Sequence, residues 1–82
     1  MVKSEILSMA IRDQVKVRFL YGFNEVVLDP YFILFEEDGT KAIYGMSSGS
    51  DDLRRFSCGK MANIKLLELH FQPIVPVSPS YN

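Results

Sequence analysis

The amino-acid sequence predicts a mainly β fold: a small antiparallel β-barrel of about five strands with a short helix at its N-terminus. Three observations carry this reading. A helical hydrophobic period occurs near the N-terminus and then stops. From Val15 onward the apolar residues alternate with polar ones or run in short blocks, each bounded by Gly, Asn, Asp or Pro. The chain has 82 residues, 48% of them hydrophobic, which is one small domain. A sheet in so small a domain exposes its edges unless it closes on itself.

The helix is expected over Ser4 to Asp13. Ser4 is placed as its N-cap, where a hydroxyl oxygen accepts a hydrogen bond from an orphan backbone N–H. Glu5 follows in the first turn, where a carboxylate suits the positive end of the helix dipole. Ile6, Leu7, Met9, Ala10 and Ile11 form its apolar stripe. A helix this short is not stable alone, so that stripe must pack on the sheet.

The period then changes to two. Val15, Val17, Phe19 and Tyr21 alternate with Lys16, Arg18 and Leu20, the pattern of a half-buried strand. Gly22-Phe23-Asn24 is a turn signal. Glu25 to Leu28 reads as a second strand, and Pro30 marks its end or a bulge, because proline cannot donate to a ladder. Tyr31 to Phe35 is continuously apolar, which suits a strand covered on both faces. Glu36-Glu37-Asp38-Gly39 reads as a hairpin turn whose acidic charge is solvated.

Thr40 to Met46 returns as a strand, and Ser47 to Asp52 is a polar loop. Leu53 to Cys58 is the next strand, broken by Gly59, with a single turn over Lys60 to Asn63. Ile64 to Phe71 is the last strand, in which Leu66, Glu68 and His70 alternate with Lys65, Leu67, Leu69 and Phe71. The domain is thus expected over residues 1–72. Residues 73–82 form a tail whose Pro73, Pro76 and Pro79 favour an extended course.

Composition excludes several classes. The formal net charge is −1, which argues against gripping nucleic acid by bulk charge. The single cysteine, Cys58, rules out an intrachain disulfide and suits a reducing cytoplasm. The N-terminus lacks the apolar run of a secretion signal, and no stretch is long and apolar enough to span a bilayer. His70 and Cys58 are each alone of their kind, so no metal cluster and no nucleophile–histidine set is expected. No phosphate-cradling glycine loop is present; Gly45 to Gly49 lacks the lysine and the strand-to-helix setting. The chain reads as non-enzymatic, without a cofactor.

What remains is cationic. Arg54 and Arg55 open a strand beside Asp51 and Asp52. Their plain reading is local pairing with those aspartates; the functional reading is an anion clamp, because a guanidinium offers a bidentate fork to phosphate or carboxylate. Neighbours on a strand face opposite ways, so only one of the two arginines can join a given patch. Lys41, Lys60, Lys16 and Arg18 could add charge, and Lys16 and Arg18 share one strand face. Phe56, between charges, reads as core.

These motifs together resemble the WYL domain family, small SH3-like or Sm-like barrels found mostly in bacterial transcriptional regulators. Ile6, Ala10 and Ile11 with Val15, Val17 and Tyr21 are similar to its opening helix and strand. Pro30, the hairpin Gly39, and Arg54-Arg55-Phe56 followed by Lys60-Met61 match later elements of its pattern. The resemblance spans Ile6 to Phe71. Counting back from Phe56, the Trp-Tyr-Leu signature falls at Lys41-Ala42-Ile43, where only the third position is similar. An arginine of the family's pattern is absent from Glu25-Val26-Val27.

The resemblance implies a ligand-sensing module for nucleotide-like or nucleic-acid anions, with a separate DNA-binding partner protein supplying the reading head. The rival expectation is an interaction module. There, Tyr31 to Phe35 and the tail's Ile74, Val75 and Val77 build a homodimer or dock a partner.

Overall fold

A computed structural model of the chain describes residues 3–47, 50 and 52–73. It contains helix α1 (Lys3–Asp13), strands β1 (Val15–Tyr21), β2 (Asn24–Phe35), β3 (Lys41–Ser47) and β4 (Leu53–Ser57), a 3-10 turn (Cys58–Lys60) and strand β5 (Met61–His70). The strands form one sheet in the order β4-β3-β2-β1-β5, every neighbouring pair antiparallel. The fold is therefore mainly β, with a short N-terminal helix. The structure bears out this class but not the closure expected of a barrel: β4 and β5, at the two ends of the order, do not pair with each other, and the sheet is not closed.

The apolar stripe of α1 buries Leu7, Ala10 and Ile11 against β1, β2 and β5. The helix starts at Lys3, and Ser4 does not serve as its cap; the Ser4 Oγ accepts a hydrogen bond from Lys41 Nζ at 3.3 Å. Gln14 ends the helix in the left-handed region, with φ of 56°. Its N–H reaches back to the Ile11 carbonyl at 3.3 Å, and its own carbonyl accepts the Phe71 N–H at 2.9 Å. One residue thus turns the chain into β1 and ties down the end of β5. No helix among the described residues is long and apolar enough to cross a membrane.

The core lies between α1 and the inner face of the sheet: Val17 and Phe19 from β1, Leu28 and Ile33 from β2, Ile43 from β3, Phe56 from β4 and Met61 from β5. Phe19 and Tyr21 each set a ring edge-to-face on Phe56, at centroid distances of 5.2 and 5.0 Å. The Ser57 N–H donates to the Tyr21 hydroxyl at 3.1 Å. The sheet therefore curls far enough for β1 and β4, which are not ladder partners, to meet through this aromatic cluster.

Strand β2 makes that curl possible. The two expected segments on either side of Pro30 are one continuous strand, and the proline sits at a bulge. Pro30 pairs with Gly45 and Phe32 with Tyr44, so Tyr31 is the extra residue. Pro30 and Tyr31 are both buried, and Tyr31 stacks on Phe71 at 5.8 Å. Gly45 is required here: a Cβ would run into the Asp29 carbonyl oxygen and lie 2.9 Å from Leu28 Cγ. The bulge also explains a correction. Tyr31 to Phe35 is not covered on both faces: Ile33 is buried, whereas Leu34 and Phe35 are 37% and 48% exposed.

Two further expectations shift. The turn expected at Lys60 to Asn63 lies at Cys58–Lys60, so β5 starts at Met61. The expected alternation in β5 fails. Met61 is buried and Ile64 and Leu67 are half-buried, but Leu66 and Leu69 are exposed. The cause is irregular pairing with β1, which displaces the faces.

Candidate functional site

The expected cations do not converge. On β4, Arg54 and Arg55 face opposite ways, as a strand requires. Arg54 lies 4.9 Å over the Phe56 ring and donates to Ser47 Oγ at 3.1 Å. Arg55 pairs with Glu36, whose carboxylate raises the guanidinium pKa further above its ordinary value. The acidic turn is therefore not merely solvated. Its neighbour Asp38 accepts from the Thr40 hydroxyl and N–H at 2.6 and 3.0 Å, and these bonds hold its carboxyl below the usual range. Among the described residues, Arg54 and Arg55 find Ser47 and Glu36 rather than the loop aspartates; Asp51 lies outside the described residues.

Lys41 stands at the start of α1, bonded to Ser4 and 5.7 Å from the Phe35 ring centroid. Burial pushes the nearby Cys58 thiol up, partly offset by the charges of Lys41 and Lys3. Lys60 is exposed on the 3-10 turn. Lys16 pairs with Asp29 at 2.7 Å, both side chains half-buried, so its charge is internally matched.

Arg18 is different. It projects from the sheet face away from α1, between buried Val17 and Phe19. It stands opposite Val27 on β2 and opposite Lys65 on β5. Like charges directly opposed across an antiparallel pair repel and destabilise it. Among the described residues neither cation has an ion-pair partner.

The register explains why the two stand over a cavity. Arg18 pairs with Lys65 and Leu20 with Ala62, so β5 carries an extra residue opposite Phe19. Asn63 adopts the left-handed region there, with φ of 53°. Asparagine tolerates that conformation better than most residues. The ladder is interrupted and an open cleft of about 410 Å³ results, lined by Arg18, Phe19, Glu25, Asn63 and Lys65.

A second cleft of about 250 Å³ is lined by Glu25, Val26, Val27, Ser47 and Arg54. Glu25 borders both. It is exposed and, among the described residues, ion-paired to none of these cations.

Of the residues singled out from sequence, Arg18 and Arg54 thus line clefts, while Arg55, Lys41, Lys60 and Lys16 lie elsewhere. Sequence reasoning missed Lys65, Asn63 and Glu25. The available signal was Asn63, a left-handed-tolerant residue directly ahead of an apolar strand. The expected apolar contribution of Ile74, Val75 and Val77 lies outside the described residues. Compared with protein-family models, curated proteins and solved structures, the chain finds no match.

Proposed function

We propose that this protein is a non-enzymatic ligand-binding module that takes an anionic, nucleotide-like ligand at the cleft between β1 and β5. The observation that supports it most is the opposition of Arg18 and Lys65 over an open cleft. The fold gains nothing from two facing cations; a phosphate or carboxylate between them turns their repulsion into charge-assisted hydrogen bonds. Arg18 supplies the planar fork and Lys65 a mobile point charge. Asn63 adds a carboxamide at the rim.

In this reading the module is cytoplasmic and similar to a WYL sensor domain. Pro30 at the bend of β2, and Arg54 to Phe56 on a single strand, support that similarity. A separate DNA-binding protein is then the partner that gives sensing an output. The test is a low-salt titration with nucleotides and short single-stranded oligonucleotides. Saturable binding that weakens at least tenfold in the Arg18→Ala, Lys65→Ala double variant, and falls with added salt, is expected. No binding, or binding unchanged in that variant, rejects the reading.

A second reading, self-association, is favoured by outer edges of β4 and β5 that have no strand partner among the described residues, and by exposed Phe23, Leu53 and Leu69. Unpaired edges and apolar side chains invite a further strand. Solution mass with and without residues 73–82 discriminates: a monomer in both forms rejects it.

A further inference from the structure

Resting on the anion-binding reading, we infer that Glu25 makes the site selective for anions that also carry an amino group. Glu25 follows directly on the β1–β2 turn and pairs across the ladder with Leu20. Arg18, two residues back along β1, is its diagonal neighbour on the same face. The cleft therefore has a cationic wall, Arg18 and Lys65, and an acidic one, Glu25, with the Asn63 carboxamide at the bulge. Arg54 lines the cleft on the other side of Glu25.

Despite cations on both sides, the Glu25 carboxylate is in no ion pair among the described residues. A carboxylate in this position works against a bare anion. It repels any phosphate or carboxylate oxygen that approaches the cationic wall, and the repulsion rises steeply at short range. A ligand whose far end offers an amino group to Glu25 replaces that repulsion with a charge-assisted hydrogen bond. The same residue then attracts one class and rejects the other, which is how a difference of affinities is built. The cleft volume, about 410 Å³, is of the size that takes a whole small molecule. Two sources offer this chemistry, α-amino acids with an acidic side chain and nucleotides with an exocyclic amine.

The experiment is calorimetric titration of the full chain at low salt with two matched pairs, each differing by one amino group: aspartate against succinate, and GMP against IMP. Inorganic phosphate serves as the minimal anion. The amine-bearing member of at least one pair should bind about tenfold tighter. The pair that shows the preference identifies the source. In Glu25→Gln the preference should vanish, with succinate, IMP and phosphate bound as well as before or better. Equal affinities within both pairs overturn the inference, as does a preference that survives Glu25→Gln. If phosphate, succinate and IMP bind without any amine preference, this inference fails and the anion site stands. If none of the probes binds, the anion site fails as well.

Discussion

Of the three register shifts among the described residues of the sheet, those at Tyr31 and at Asn63 are built from the same backbone device and used in opposite ways. In the β2–β3 pair, the extra residue is Tyr31, and it turns inward. Pro30 supplies a residue that needs no ladder donor, Gly45 clears the space opposite, and Phe71 stacks on the Tyr31 ring. Every part of that bulge is filled with core. In the β1–β5 pair, the shift between Arg18 and Leu20 puts an extra residue on β5 at Asn63, and the gap stays open. It is lined with charge, two of the charges facing each other with the same sign. A bulge that bends a strand around a core can be recognised by what packs into it. A bulge that opens a cleft can be recognised by what the fold leaves unbalanced there.

The largest effect expected from this contrast belongs to the packed bulge. Gly45→Ala places a methyl group against the backbone of β2 at Asp29 and Pro30, where no flexible side chain can give way. A loss of about 3 kcal/mol is expected, on the order of 15 °C in Tm for a domain of this size. Thermal melting checks it; a loss below about 1 kcal/mol would mean that β2 can straighten, and the packed bulge would not be what bends the sheet.

The open bulge should be far more forgiving. Asn63→Gly relieves a left-handed backbone at no cost in packing, and stability should change by less than about 0.5 kcal/mol. Asn63→Val cannot adopt that conformation readily and should cost about 1–2 kcal/mol. Urea titration of both variants sharpens the comparison. Equal losses in the two would show that the Asn63 side chain, not its backbone, holds the bulge.

A smaller effect concerns the turn between β2 and β3. The Asp38 carboxyl is held below its ordinary value of 3.8, first by the Thr40 hydroxyl and then by the Thr40 N–H. A carboxylate with a depressed folded-state pKa contributes stability that is present above the unfolded value and lost as pH falls through the folded one. Melting temperature should therefore drop a little more steeply below pH 3.8 in the native chain than in Thr40→Val, in which one of these bonds is gone. Parallel curves would remove the turn from the acid sensitivity of the fold.

The two bulges also differ in how readable they are from sequence. Pro30 announces the first, because proline has no N–H and within a sheet is confined to its edges and irregularities. Strand β1 is legible to its exact ends, since its alternation depends only on local order. The second bulge depends on where β5 meets β1, a pairing across more than 40 positions of chain. No local pattern fixes that register, and one extra residue moves each later side chain to the other face. In the sequence Lys65 is one member of a regular alternation, and its opposition to Arg18 does not show there. Arg54 and Arg55 stand out in the sequence because they are adjacent, yet Ser47 and Glu36 already engage them. What distinguishes Arg18 is the lack of such a partner among the described residues.

The most direct measurement is Lys65→Glu, read for both stability and anion binding. Opposite Arg18, a carboxylate replaces repulsion with attraction across the strand pair. The account expects the folded state to gain about 0.5 kcal/mol in urea unfolding. It expects affinity for phosphate and for IMP to fall at least tenfold. Stability and binding would then move in opposite directions, as they must if the cation pair serves a ligand and not the fold. A variant that is less stable, or one that binds both probes as the native chain does, would contradict the account.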